Sequence, residues 1–183
     1  MKTADIPHDM NYEMGEDLKE KPTNLEEMKE GIDFIHSALM KESDELKKAS
    51  MLSLIGVYSR IVGELTESES YLSEAIEIFK KHQKAKPLTY LRLRLATTLH
   101  WKEKYSSAEK IFLEIIQSQT PESKHYLDYA CQHMGKCKFD QKLYKEALNY
   151  FMQALDLRLV KGDMELIRST EMAIEKVRPL IQE

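Results

Sequence analysis

Glycine, proline, cysteine and tryptophan are all scarce in this chain: six, five, two and one among 183 residues. Glycine and proline are the residues that break helices, and their shortage favours helices over strands. Two cysteines are too few for a disulfide framework. Cys131 and Cys137, six apart on one helix, are also about 240° out of phase and should not meet. No apolar run approaches the ~18 residues needed to span a bilayer. The N-terminal stretch from Met1 to Pro22 has no apolar core of the kind a secretory leader carries. An excess of positive charge is missing too, since 27 Lys and Arg face 31 Asp and Glu, for a net charge of -4 and a sequence pI of 5.9. Binding to phosphate backbones needs a basic face, so no nucleic-acid partner is expected. Together these absences describe a cytoplasmic, reduced protein with no membrane span.

What is abundant is material for helices. Leu, Glu, Lys, Met and Ala dominate, and they lose little side-chain freedom in a helix. Residues 1–22 carry Asp5, Asp9, Glu13, Glu16, Asp17 and Glu20 without a sustained apolar period, which predicts a disordered tail. From Asn24 the pattern changes. Leu25, Met28, Ile32, Ile35 and Leu39 step by threes and fours, with Asn24 placed to cap and Glu26 and Glu27 in the first turn. Similar stripes run over about 43–65, 68–85, 87–102, 106–118, 122–138, 142–160 and 163–181. Pro87 and Pro121 fall where one helix stops and another starts. The expectation is an all-α fold of about eight helices joined by short links.

The segments repeat. Tyr144-Lys-Glu-Ala-Leu-Asn-Tyr-Phe matches Leu72-Ser-Glu-Ala-Ile-Glu-Ile-Phe and Tyr105-Ser-Ser-Ala-Glu-Lys-Ile-Phe, and Met28-Lys-Glu-Gly-Ile-Asp-Phe-Ile follows the same outline. An Ala precedes a Phe by four in three copies: Ala75/Phe79, Ala108/Phe112 and Ala147/Phe151. Gly63, Ala96 and Gly135 each stand twelve residues before those alanines. Small residues let two antiparallel helices approach, and the aromatic fills the gap one turn on. This combination resembles the tetratricopeptide repeat, best in the third copy with Met134-Gly135, Tyr144, Ala147, Phe151 and Ala154. In this register the small residues 31, 75, 108 and 147 are spaced by 44, 33 and 39, against a family period of 34. Gly56 offers a rival register that would need seven inserted residues.

The resemblance implies a right-handed superhelical solenoid of antiparallel helix pairs over residues 24–161. A half repeat would occupy 24–41 and full repeats about 56–89, 89–122 and 128–161. A C-terminal capping helix would cover 163–181, with one apolar face made by Leu166, Ile167, Thr170, Ile174 and Val177. In the family the first helix of each repeat lines a concave groove. Carried over, that places Arg60 in the first repeat. The second presents Tyr90, Arg94, Thr97, His100 and Trp101, and the third Tyr129, Gln132, His133, Lys136 and Phe139. Aromatic anchors mixed with Arg and Lys suit an extended acidic segment. The Lys and Asn clamp by which some members hold a terminal carboxylate is not reproduced.

No catalytic signature occurs: there is no glycine-rich phosphate loop, no Gly-x-Ser-x-Gly and no His-Glu-x-x-His. His133 and Cys137 could supply two metal ligands, yet a structural zinc site needs four. No catalytic residue, cofactor or metal is expected, and the chain is not expected to be an enzyme. The expected function is a protein- or peptide-binding adaptor or scaffold that uses the concave groove. The alternatives are a self-associating structural protein, overfilled around Met51, Leu54, Ile55, Tyr58 and Val62, and the sensing half of a peptide-responsive bacterial regulator. Only about 22 residues precede the array, too few for an added effector module.

Overall fold

A computed structural model of the chain describes residues 1–181, and its contacts divide the chain into two compact units, Met1–Lys102 and Glu103–Glu183. Unit 1 holds α1 (Leu25–Leu39), α2 (Glu45–Ile61), α3 (Leu65–Lys81) and α4 (Ala85–Trp101). Unit 2 holds α5 (Tyr105–Gln117), α6 (Pro121–His125), α7 (Leu127–Asp140), α8 (Tyr144–Lys161) and α9 (Met164–Val177), closed by a 3-10 turn Arg178–Ile181. The described residues therefore contain nine α-helices rather than eight. The stretch expected as one helix over 122–138 breaks at Tyr126, after the short α6 that Thr120 caps and Pro121 opens.

Side-chain caps start several of these helices where the sequence supplies them. The Asn24 carboxamide accepts from Glu27 N at 3.2 Å, Asp44 from Lys47 N at 2.9 Å and Asp163 from Leu166 N at 3.2 Å. Four links, Val62–Glu64, His82–Lys84, Lys102–Lys104 and Gln141–Leu143, each have a left-handed residue in the middle: Gly63 at φ +94°, Gln83 at +52°, Glu103 at +59° and Lys142 at +61°.

That common shape corrects the register of the first repeat. Gly63 is a turn residue with open space around it, not a packing residue. The close approach is made at Gly56, where an added Cβ would lie 2.7 Å from Leu72 Cγ. Gly135 does the same in unit 2, an added Cβ falling 2.6 Å from the Phe151 ring. The matching set is then Gly56 with Ser68, Leu72 and Ala75, parallel to Gly135 with Ala147, Phe151 and Ala154, and all six partners are fully buried. Ser68 takes the place of the family alanine because its hydroxyl is satisfied there, donating to Gly56 O at 2.6 Å and lying 2.8 Å from Thr98 Oγ1. Met28, Ser68, Ala108 and Ala147 now succeed one another at 40, 40 and 39 residues, an almost even period. Within the units, helix pairs accordingly begin at 45 and 127, not at 56 and 128, and α4 itself begins at 85, not 89.

Residues 1–22 are the second correction. They are not a disordered tail. A 3-10 turn at Thr3–Asp5 leads into a hairpin of β1 (Tyr12–Met14) and β2 (Glu20–Pro22), paired Tyr12 to Pro22, Glu13 to Lys21 and Met14 to Glu20. Ile6 and Met10 are buried in a core with Met28, Ile32, Ile35 and Ile55, and Leu18 is buried at the hairpin tip. Gly31 makes the space, since a Cβ there would fall 2.2 Å from Met10 Sδ. No apolar period marks this segment because each apolar side chain is anchored singly, with no shared helix face. Asp9 ties the hairpin base, accepting from Asn11 N at 2.9 Å and Thr23 Oγ1 at 2.9 Å, and those bonds hold its carboxyl below the usual carboxylate range. His8 Nδ1 lies 3.1 Å from Glu27 Oε2 and 3.3 Å from Glu30 Oε2, fastening the arm to α1.

The buried face of α9 is Ile167, Thr170, Ala173, Ile174 and Val177, packed on α8. Its opposite face is exposed and carries Arg168, Glu171 and Glu175, although Met164 and Met172 are exposed as well.

Candidate functional site

The site on unit 1 is a groove of about 430 Å³. The inner sides of α2 and α4 form its floor, with Leu54, Val57 and Leu91 apolar at the base and Phe79 of α3 behind them. Met1, Thr3 and Tyr12 of the N-terminal segment form one wall. Hydroxyls rim the apolar floor: Ser50, Ser53 and Tyr58 from α2, and Tyr90 from α4. The Tyr58 hydroxyl is 2.9 Å from Thr3 Oγ1, and burial raises its phenol above the ordinary value.

Arg94 supplies the charge. Its guanidinium lies over the Tyr90 ring, 4.9 Å from the centroid, and its Nε is buried without a hydrogen-bond partner. Burial opposes that charge, yet Tyr90 and the Glu20 carboxylate together hold the group above its ordinary pKa. The groove therefore offers a persistent cation beside an apolar floor.

Arg60 has a different fate from the one its place in the sequence implies. It is 1% exposed and clamped by Glu20, with NH1 donating to Oε2 at 2.9 Å and NH2 to Oε1 at 3.3 Å. Its guanidinium lies 4.4 Å from the Trp101 ring centroid. In the corrected register Arg60 falls near the end of its helix, and the true inner positions of α2 are Ser50, Ser53, Leu54 and Val57. Of these, Leu54 drew attention in the sequence, as part of the overfilled stretch. Thr97 and His100 are both buried, the Thr97 hydroxyl donating to Leu93 O at 3.0 Å. Neither gives an open contact surface. Tyr90 and Arg94 are thus the expected residues of unit 1 that line the groove, and Arg60 and Trp101 pair beneath the hairpin.

In unit 2 the expected residues are mostly internal. His133 is buried and stacked on Phe112 at 6.3 Å between ring centroids. Lys136 and Gln132 are buried, and both amide heavy atoms of Gln132 lack a hydrogen-bond partner. Phe139 is half-buried against Tyr144 at 5.8 Å. Tyr129 lies under Arg158 and Lys161, 5.5 and 5.9 Å from its centroid. The strongest polar cluster of unit 2 was not foreseen. Arg158 of α8, 2% exposed, reaches Asp128 Oδ2 at 3.3 Å, Leu166 O at 3.0 Å and Thr170 Oγ1 at 2.6 Å, and Lys161 also pairs with Asp128.

Chemically the two cysteines are quiet. Cys131 and Cys137 are free and buried, and burial raises their thiols to about 11 and about 12. Neither is a thiolate near neutrality, so a thiol reagent should label the native chain far more slowly than the chain in denaturant. A raised thiol pKa favours the folded state below the unfolded value near 9, and this contribution is lost as pH climbs toward the folded values of about 11 and 12. Burial raises the phenols of Tyr58, Tyr105 and Tyr150 in the same sense. Stability to urea should therefore fall above about pH 9, and Cys137→Ala should reduce that fall. A urea midpoint unchanged from pH 8 to 10.5 would contradict this. Among the described residues, the groups close enough to share a cation are His8, Glu27 and Glu30, whose ligand atoms lie within 4.8 Å of one another. Their separations are those of ordinary ion pairs.

The overfilled stretch of α2 is accounted for as well. Met51, Ile55 and Tyr58 are buried in the core shared with α1 and the N-terminal arm, with Leu54 and Val62 packed against it. No described helix is long and apolar enough to cross a membrane.

No family model matches the sequence, and no curated protein matches it. Solved structures do. One is the apo form of RapI, at 20% identity and a TM-score of 0.69 over 87% of this chain. This chain spans 59% of the RapI chain's length. Another is a putative kinesin light chain of Podosopora anserina with nearly identical TPR-like repeats, at 14% identity and a TM-score of 0.51, covering 85% of this chain and 88% of that one. Even repeats, close glycine contacts and these structural neighbours together give the chain a tetratricopeptide-type, all-α repeat fold.

Proposed function

We propose that this chain is a cytoplasmic protein- or peptide-binding adaptor that takes an extended, acidic segment into the groove of unit 1. The observation that carries the reading is the Arg94 guanidinium, a cation lining the groove beside an apolar floor. A segment with an apolar side chain next to Asp or Glu would fill the Leu54–Val57–Leu91 floor and place its carboxylate on Arg94. The Ser53 hydroxyl lines the same groove. Micromolar affinity, about -8 kcal/mol, suits such a groove.

The test uses capture from a native lysate with wild-type chain, Arg94→Gln and Ser53→Trp. Ser53 is half-buried at the groove, so Trp there should block the floor while leaving the core in place. The partner should be lost with Ser53→Trp and bound about tenfold more weakly with Arg94→Gln, which is about 1.4 kcal/mol. A partner retained by both variants would remove the groove from the reading.

A second reading makes the chain the sensing part of a longer peptide-responsive regulator. Its support is the partial match, 87% of this chain against 59% of the RapI chain. Self-association, the other alternative, loses its sequence motive now that Met51, Ile55 and Tyr58 belong to the core of unit 1.

A further inference from the structure

We infer that the Arg60–Trp101 pair is a carboxylate-recognition site, that the N-terminal hairpin is its resident ligand in cis, and that an acidic segment of a partner binds by displacing Glu20. The inference rests on the reading of unit 1's inner face as a binding surface.

The geometry at Arg60 is that of recognition more than of mere packing. Both Glu20 oxygens are engaged by the two terminal nitrogens, and Trp101 covers a face of the same guanidinium. The carboxylate comes from a hairpin of two three-residue strands, a size with little stability of its own. The hairpin is held at its tip by Leu18, along β2 by the Glu20 ion pair and by Lys19 over the Trp101 ring at 5.9 Å, and at its base by Asp9. Its two ends are fixed separately, by Met10 in the core and by Asn24 capping α1. The hairpin can therefore lift as a strap without unravelling the helices.

The strap also touches the groove. Tyr12, paired with Pro22 across the hairpin, lines the groove wall, and the Glu20 charge acts on Arg94. Lifting the strap would remove that wall and expose a second guanidinium next to the first. A partner needs a carboxylate to take this place, because the two charge-assisted bonds that Glu20 makes to Arg60 must be replaced when Glu20 leaves. An acidic extended segment satisfies both conditions, and an uncharged one satisfies neither.

The experiment uses the full chain and a synthetic peptide of residues 11–23 of this same sequence as the probe in trans. Glu20→Gln should bind the peptide at least tenfold more tightly than wild type, and the same peptide carrying Gln at the Glu20 position should not bind. Leu18→Asn loosens the tip without touching Arg60 and should give a gain in the same direction. The double variant Glu20→Gln, Arg60→Gln should fold and lose the gain. Equal binding to wild type and both loosened variants would overturn the inference, and so would absence of binding to all of them. Binding that is lost with Ser53→Trp but indifferent to Glu20 would sink the resident ligand and leave the groove reading standing.

Discussion

Asp128→Ala should lower the unfolding free energy by about 3–5 kcal/mol, which would make it among the costliest single substitutions in the chain. Asp128 has no exposed side-chain surface and faces two cations, Arg158 at 3.3 Å and Lys161. Removing the carboxylate leaves the buried Arg158 guanidinium with neutral acceptors alone, Leu166 O and Thr170 Oγ1. Such a buried, unpaired charge is far more costly than a lost surface pair. The same arithmetic runs the other way for a joint replacement. Asp128→Leu with Arg158→Met should recover most of the loss, since apolar groups of similar size need no partner. Urea unfolding of wild type and these two variants checks this, with the slope unchanged if the transition stays two-state. A loss below about 1 kcal/mol for Asp128→Ala would mean the network is solvated.

Phe151→Ala should cost about 3–5 kcal/mol, and its interaction with Gly135 should change sign with background. The Phe151 ring is fully buried and fills the space that the missing Cβ of Gly135 leaves. In wild type, Gly135→Ala puts a Cβ 2.6 Å from that ring. The overpacking cost of about 1–3 kcal/mol should exceed the ~1 kcal/mol that Ala gains over Gly within a helix. Once Phe151 is Ala, the clash is gone and Gly135→Ala should stabilise. A double-mutant cycle by chemical denaturation reads the coupling directly. Additive effects would show that the two helices do not depend on this contact for their close approach.

That pair also shows what the sequence made legible. Gly135 with Ala147 and Phe151 could be identified because glycine inside a helix has a destabilising cost and so marks close packing. The same logic went wrong at Gly63, where glycine serves a left-handed turn that Gln83, Glu103 and Lys142 occupy in the other links. Glycine's two uses look alike in a sequence. The displaced register began the first repeat at 56 and so left Ser50 and Ser53 outside it. Ser68 concealed the correct register because it stands where the family pattern has Ala, and only its bonds to Gly56 O and Thr98 explain it.

The N-terminal segment was illegible for another reason. Ile6, Met10 and Leu18 are spaced at four and eight residues without forming one face, so no periodicity test would detect them. Glu20 looked like one more solvated acid among six. Its partner Arg60 lies forty residues away, and a long-range ion pair leaves no local pattern. Asp128 and Arg158 were missed likewise, thirty residues apart on separate helices. Tyr90 and Arg94, by contrast, sit four apart on one helix, where spacing alone brings the ring and the cation together.

The measurement closest to the central claim is a methyl and amide chemical-shift titration of the full chain with a short acidic–apolar peptide drawn from a captured partner. The proposed function expects saturable shifts concentrated at Leu54, Val57, Leu91 and Arg94, smaller ones at Tyr12 and Glu20, and their loss in Ser53→Trp. Saturable shifts that avoid α2 and α4 altogether would contradict it.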